Sequence, residues 1–175
     1  MHLNPYGEDA VRLAASLVND RPATSSELLA RCQEAGLVVP EIASDEDLPQ
    51  LIALLDRWCD VIDAGDHHQR AQLLNRLLAD SSAYPRLTDH AGGWHLHYRD
   101  DDVPLHHVLR ALIVVGTALH LTVRGMDRLG RCAGVDCDRV YADTSRNGRQ
   151  RYCSPPCANR NAVRRHRARL GAATC

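Results

Sequence analysis

Four cysteines near the C-terminal end set the tightest limit on how this chain folds. They read Cys132-x4-Cys137, a gap of fifteen residues, then Cys153-x3-Cys157. Two close pairs separated by a loop can place four sulfurs around one tetrahedral Zn2+, the closed geometry of a structural site. Ala133-Gly134-Val135-Asp136 supplies turn residues inside the first pair, so both thiolates can converge. A catalytic zinc keeps an open coordination position and mixes in His or carboxylate ligands, which four thiolates do not provide. A zinc deaminase needs a His-x-Glu partner and a two-residue final pair. The chain has neither. The spacing therefore predicts one structural zinc on Cys132, Cys137, Cys153 and Cys157.

The other cysteines carry less. Cys32 and Cys59 fall on apolar helix faces and are expected as buried core thiols. Cys175 is terminal and is expected to be exposed. No basic start followed by an apolar stretch opens the chain, and the most apolar run, 111–119, is too short to span a bilayer. The expected setting is a reducing cytoplasm with no membrane partner, where clustered cysteines signal metal rather than disulfide.

Charge divides the chain in two. There is no lysine, and all 21 basic residues are arginine. Residues 1–130 hold 11 arginines against 19 acidic residues, a balance of −8. Residues 131–175 hold 10 arginines against 3 acidic residues, a balance of +7. An acidic body with a basic arm suits nucleic acid; the competing reading is an arm docked on its own body.

Hydrophobic spacing makes the body mainly helical. Ala10, Val11, Leu13, Ala14, Leu17 and Val18 repeat at helical intervals over 8–18. Thr24-Ser25-Ser26-Glu27 reads as a capping box opening a second helix that Gly36 stops. Leu37-Val38-Val39-Pro40 is a connector. An acidic start at Ser44-Asp45-Glu46-Asp47 leads a long helix with Leu48, Leu51, Ile52, Leu55, Trp58, Cys59 and Ile62 on its apolar face. Leu73, Leu74, Leu77 and Leu78 mark a fourth helix. The period then changes, and Pro85-Arg86-Leu87-Thr88 and Trp94-His95-Leu96-His97-Tyr98 read as two strands joined at Gly92-Gly93. Residues 103–124 form a helix apolar on most sides, expected at the centre of the core. Residues 125–130 read as a hinge, and the expected domains are 1–129 and 130–175.

Within the second domain, Arg139-Val140-Tyr141-Ala142 reads as a strand and Asn147-Gly148 as a turn. Ser154-Pro155-Pro156 opens a helix with Cys157 in its first turn. On that helix Arg160, Arg164 and Arg167 share one face, and Arg165 and Arg169 a neighbouring one. Ala158, Ala162, Val163 and Leu170 are expected to pack back on the finger. Arg146, Arg149 and Arg151 lie in the loop before the third cysteine. These eight arginines and Asn159 are the candidate nucleic-acid contacts, with Asn159, Asn161 or Arg164 as candidate base readers. A structural alternative has Asn159 bonding the knuckle backbone and Arg160 bracing the acidic body.

The segment 132–160, ending Arg151-Tyr152-Cys153-Ser154-Pro155-Pro156-Cys157-Ala158-Asn159-Arg160, resembles the CGNR zinc finger family, with Ala158 in place of that family's glycine. Upstream, Leu13-Ala14-Ala15-Ser16-Leu17-Val18-Asn19 is similar to the opening of the ABATE domain, which usually precedes this finger; Asp20 stands where that opening has Thr. The resemblance implies zinc ligation by the four cysteines and a bacterial, stress-linked transcription regulator.

The combined expectation is a mainly α (α+β) protein. Its helical N-terminal domain carries a small two-stranded β element, and its C-terminal four-cysteine zinc finger, treble-clef-like or ribbon-like, ends in a basic helix. The expected function is a zinc-dependent regulator of double-stranded DNA, whose N-terminal domain senses a small-molecule effector or mediates homodimerisation. The rival is a zinc-stabilised adaptor that touches no nucleic acid. With no nucleophile motif, phosphate loop or dinucleotide fingerprint, an enzyme is not expected. Asn19 is read as a helix-end cap; the functional alternative places Asn19 and Arg21 in an effector pocket. His95 and His97 share a strand face and His106 and His107 start a helix. All four are expected as core or solvated histidines rather than a second metal site.

Overall fold

A computed structural model describes residues 7–37, 43–81, 84–89, 93–100 and 102–172, without the side chains of 171 and 172. Most of the connector over 37–40, Gly92 of the expected turn and terminal Cys175 lie outside the described residues. The elements run α1 (Glu8–Asn19), α2 (Ser25–Glu34), α3 (Asp47–Ile62), α4 (His67–Ser81), β1 (Arg86–Thr88), β2 (His95–His97), α5 (Leu105–Arg124), β3 (Leu129–Arg131), β4 (Val140–Ala142) and α6 (Pro155–Ala172).

The body is organised around α5. Leu105, Leu109, Ile113, Val114 and Leu121 are buried along it, and α1, α3 and α4 all pack against it. Its length and apolarity would suit a membrane span, but most of it is covered by the other helices. Gly7, at φ 63°, precedes α1 and lets that helix start against α5: a Cβ there would lie 2.0 Å from the Gly116 carbonyl oxygen. No other residue type combines that backbone with that proximity.

Polar side chains fix the helix ends inside the apolar layer. Asp47, buried at the start of α3, accepts from the Ser44 N–H (2.7 Å), the His106 N–H (2.9 Å) and His106 Nδ1 (2.8 Å). The acidic start expected for its dipole thus also ties α3 to the first turn of α5. Buried Arg70 donates from Nε to the Val61 carbonyl and from Nη2 to that of Ile62, and it also binds the Met126 carbonyl. The first two are carbonyls at the end of α3, the groups a helix C-terminus leaves over. Trp58 Nε1 donates to Thr117 Oγ1 at 2.9 Å, so both are satisfied while fully buried.

The apolar stripe of α3 is rotated from the expected one. Leu54 and Val61 are buried with Leu51, Leu55, Trp58 and Ile62, whereas Ile52 and Cys59 are only half-buried. Two neighbours, α4 and α5, cover the helix from adjoining sides and draw in residues that one stripe would leave out. Cys32 is fully buried, as expected.

The capping box forms at α2: Thr24 Oγ1 accepts from the Glu27 N–H, and Glu27 reaches back to the Ala23 N–H. Strands β1 and β2 pair antiparallel with Leu87 opposite Leu96.

The hinge expected over 125–130 is instead fastened. Leu129 lies on β3, a strand the sequence reading did not anticipate, which pairs with β4 (Leu129↔Ala142, Arg131↔Val140). Leu129 and Val140 are buried in the same core as α1, α3 and α5. The physical reason is that this two-stranded ribbon brings apolar side chains that only the body can cover.

Candidate metal centre and nucleic-acid interface

The finger is built outward from the β3–β4 ribbon. Beyond the ribbon the Cys132 N–H donates to the Arg139 carbonyl (2.8 Å), closing the first knuckle. The Ala133 N–H donates to the Arg151 carbonyl (2.7 Å), which brings the second cysteine pair alongside. Ser154 caps α6, its Oγ accepting from the Cys157 N–H at 3.3 Å. Pro155 and Pro156 occupy first-turn positions where a missing N–H costs nothing. Cys157 therefore sits in the first turn of α6, facing the knuckle.

The four sulfurs lie within 4.8 Å of one another. Cys132 Sγ is 3.4 Å from Cys157 Sγ, and Cys137 Sγ is 3.8 Å from Cys153 Sγ. Tetrahedral zinc with Zn–S bonds of about 2.3 Å sets sulfurs about 3.8 Å apart. The cluster fits one structural zinc ion. Among the described residues no other group of three or more such side chains is close enough to share an ion.

The donor set is prepared for a cation. Burial pushes the Cys132 thiol up, but the N–H groups of Cys153 and Gly134, both donating to its sulfur, outweigh this and bring it to about 7. Burial and the neighbouring sulfurs push Cys153 up to about 12. One thiolate thus disfavours the next, and a bound dication removes that conflict by deprotonating all four.

One side chain behind the sulfurs holds the knuckle, and the sequence reading placed that role elsewhere. Asn159, a candidate for bonding the knuckle backbone, is exposed. Asn161 takes the place instead: its Oδ1 accepts from the Val135 N–H (3.2 Å) and its Nδ2 donates to the Cys157 carbonyl (3.0 Å). Asn161 is buried by this and is no base reader. Gly134 is fixed by space: a Cβ there would lie 2.7 Å from Cys157 Sγ. Asp143, not singled out from the sequence, is buried below the loop and accepts from Ser145 N–H, Ser145 Oγ and Gln150 N–H. Burial raises its carboxyl, yet these bonds and Arg128 hold it below the usual carboxylate range. The sequence signal for Asp143 was faint: one acid in an arginine-rich loop, followed by Ser145 at Asx-turn spacing.

Asn19 does not cap its own helix. Its Nδ2 donates to the Val140 carbonyl (2.9 Å) and its Oδ1 accepts from the Val140 N–H (2.7 Å). The end of α1 thereby acts as a one-residue strand partner for β4 and seats the finger on the body. Arg131 forks onto both Asp63 carboxylate oxygens at 2.8 and 2.7 Å. Arg12 donates to Thr144 Oγ1 at 2.6 Å. Arg21 pairs with Asp56 at 2.6 Å. Asn19 and Arg21 do line one crevice of about 400 Å³, together with Asp56, Cys59, Arg131 and Arg139.

Beyond Asn161, α6 leaves the molecule. It packs on no other described helix or strand. Val163 and Leu170, expected to pack back, are 50% and 57% exposed, and Ala162 is exposed too. Cys157 and Asn161 take the inner face of α6, and Val163 and Leu170 lie on the side turned away from the knot. Arg160, Arg164, Arg165, Arg167 and Arg169 are all exposed, as are Arg146, Arg149 and Arg151 in the preceding loop. The Cys132 sulfur and burial push the Cys157 thiol up, and a hydrogen bond from exposed Arg160 opposes them only in part. Arg165 donates to the Tyr152 hydroxyl at 2.6 Å, and Arg164 lies 3.7 Å from exposed Asp136.

Comparison with protein families accounts for nearly all of this chain. The model of the ABATE domain, described as "putative stress-induced transcription regulator", matches residues 8–125. The model of the CGNR zinc finger matches residues 128–170. Comparison with curated proteins gives no match.

Proposed function

Because the chain belongs to the ABATE-domain family and carries a CGNR zinc finger after that domain, we propose that it is a bacterial transcription regulator whose zinc-held arginine helix binds duplex DNA. The observation that carries the proposal is the exposure of α6. Five arginines stand on it with no acidic residue along Pro155–Ala172. The acidic body, which could have neutralised this helix, leaves it in solvent.

Arginine matches phosphate bidentately and stays charged under all relevant conditions. Phosphate neutralisation releases counterions, so affinity should fall steeply with salt. Five phosphate contacts imply a log–log slope of about −4 to −5. The test is binding of the zinc-loaded full chain to random duplex DNA at stepped salt. Arg164→Glu with Arg165→Glu should weaken binding and flatten the slope by about 2. Undiminished binding in that variant would remove α6 from the interface. An absence of affinity at low salt would favour an adaptor role.

Effector sensing, within this reading, belongs to the crevice at Asn19 and Arg21. A small molecule there would touch α1, α3 and the finger at once, and its differential affinity for the seated finger would bias DNA binding.

A further inference from the structure

The two arginine sets on α6 are not on neighbouring faces, as first expected, but on opposite flanks of a third face. At about 100° per residue, Arg160, Arg164 and Arg167 form one row, and Arg165 and Arg169 another about 150° away. Cys157 and Asn161, the residues anchored in the zinc knot, lie between the rows on the inner side. Directly opposite them, about 100° from each row, lies an outer face of Asn159, Val163, His166 and Leu170 at spacings of four, three and four. Every one of these four is exposed, Val163 at 50%. A shallow hollow lies between this face and the first arginine row, lined by Asn159, Arg160, Val163, Arg164 and Arg167.

We infer that Asn159, Val163 and His166 read base edges in the major groove, while the two arginine rows straddle the groove and hold its opposite phosphate walls. This inference rests on the DNA reading above and assigns its sequence specificity. The major groove, about 12 Å wide, admits one α-helix with its side chains. A helix lying there needs cations on both flanks and short side chains at the floor, which is the arrangement found. A helix bound along a single strand would need its cations on one side only.

The chemistry of the outer face suits base edges. The side-chain amide of Asn can pair with the N6 and N7 groups of adenine, and an aliphatic residue packs on the thymine methyl. The imidazole of His166 can donate to a purine N7. Asn161 is committed to the knuckle, and Arg164 belongs to a flank, so neither reads bases. The zinc knot fixes the rotation of the helix about its own axis. Residues opposite Cys157 therefore always point away from the protein.

The test is selection of bound duplexes from a randomised library by the zinc-loaded full chain, for the wild type and for Asn159→Ala with Val163→Ala and His166→Ala. The wild type should enrich an A·T-containing motif. The triple variant should lose that preference, its discrimination between the enriched and a scrambled duplex falling at least tenfold. Its affinity for random DNA should fall by much less than its discrimination, and a steep salt slope should persist, because the arginine rows remain. An unchanged enriched motif in the variant would overturn the inference while leaving the DNA reading intact. Conversion of a dimer to a monomer with unchanged base preference would assign the face to helix pairing and also overturn it. If neither protein binds random DNA at low salt, it is the DNA reading that fails.

Discussion

Single side chains do much of the structural work here by satisfying backbone groups that would otherwise be buried bare. Asn19 covers both the N–H and the carbonyl of Val140, a residue with no exposed surface. Asn19→Ala should cost about 1–3 kcal/mol, the usual penalty for stranding buried polar groups. Denaturant unfolding of the zinc-loaded protein would read this directly. Asp47 offers a pH-dependent counterpart. Burial pushes its carboxyl up, but the bonds from His106 and Ser44 hold it below the usual carboxylate range. A depressed native value means that ionised Asp47 contributes stability above about pH 4, and that the contribution is lost as pH falls through the native value. Asp47→Ala should therefore be less stable by about 2–3 kcal/mol at pH 7 and approach the wild type in acid, as thermal melts across pH would show. Gly134→Ala places a methyl against Cys157 Sγ, so zinc affinity measured by chelator competition should fall at least tenfold.

Among the elements, α5 and α6 are opposites built from the same backbone geometry. Helix α5 is apolar on most sides and buried; α6 is anchored for its first two turns and solvated beyond them. The anchoring of α1 on α5 depends on close approach at Gly7. Gly7→Ala brings both a positive φ and a clash with the Gly116 carbonyl, and should cost about 2–4 kcal/mol. In a chain of this size that lowers the melting temperature by roughly 4–16 °C. The rotated stripe of α3 belongs to this scale too. Periodicity located the helix and most of its buried residues, but Leu54 and Val61 are buried because α4 and α5 arrive from two sides. A single apolar stripe read from sequence has no means of showing a second neighbour.

For the molecule as a whole, body and finger share one core. Leu129 and Val140 of the ribbon lie among side chains of α1, α3 and α5, and Arg131, Arg12 and Asn19 stitch the seam around them. Metal removal should therefore be felt beyond the four cysteines. Chelation should release α6 from its knot and lower the melting temperature of the body, while most helical signal survives. Circular dichroism melts with and without chelator would show this. A body melting temperature untouched by chelation would mean that the ribbon stays seated without its metal.

The sequence alone determined what depends on local spacing and on chemistry carried by residue type. Helical periodicity, the capping box at Thr24, the paired strands and the four thiolates all express themselves within a few residues or through a metal that accepts few ligand sets. Tertiary structure decided what depends on distant segments meeting. It turned the expected hinge into a braced ribbon, and Asn19 from a cap into a clamp. It chose Asn161 over Asn159 as the knuckle's support, and it left the arginine rows of α6 in solvent. Each of these follows from which face of an element is covered. That is a property of packing, because the burial of a side chain depends on partners a hundred residues away.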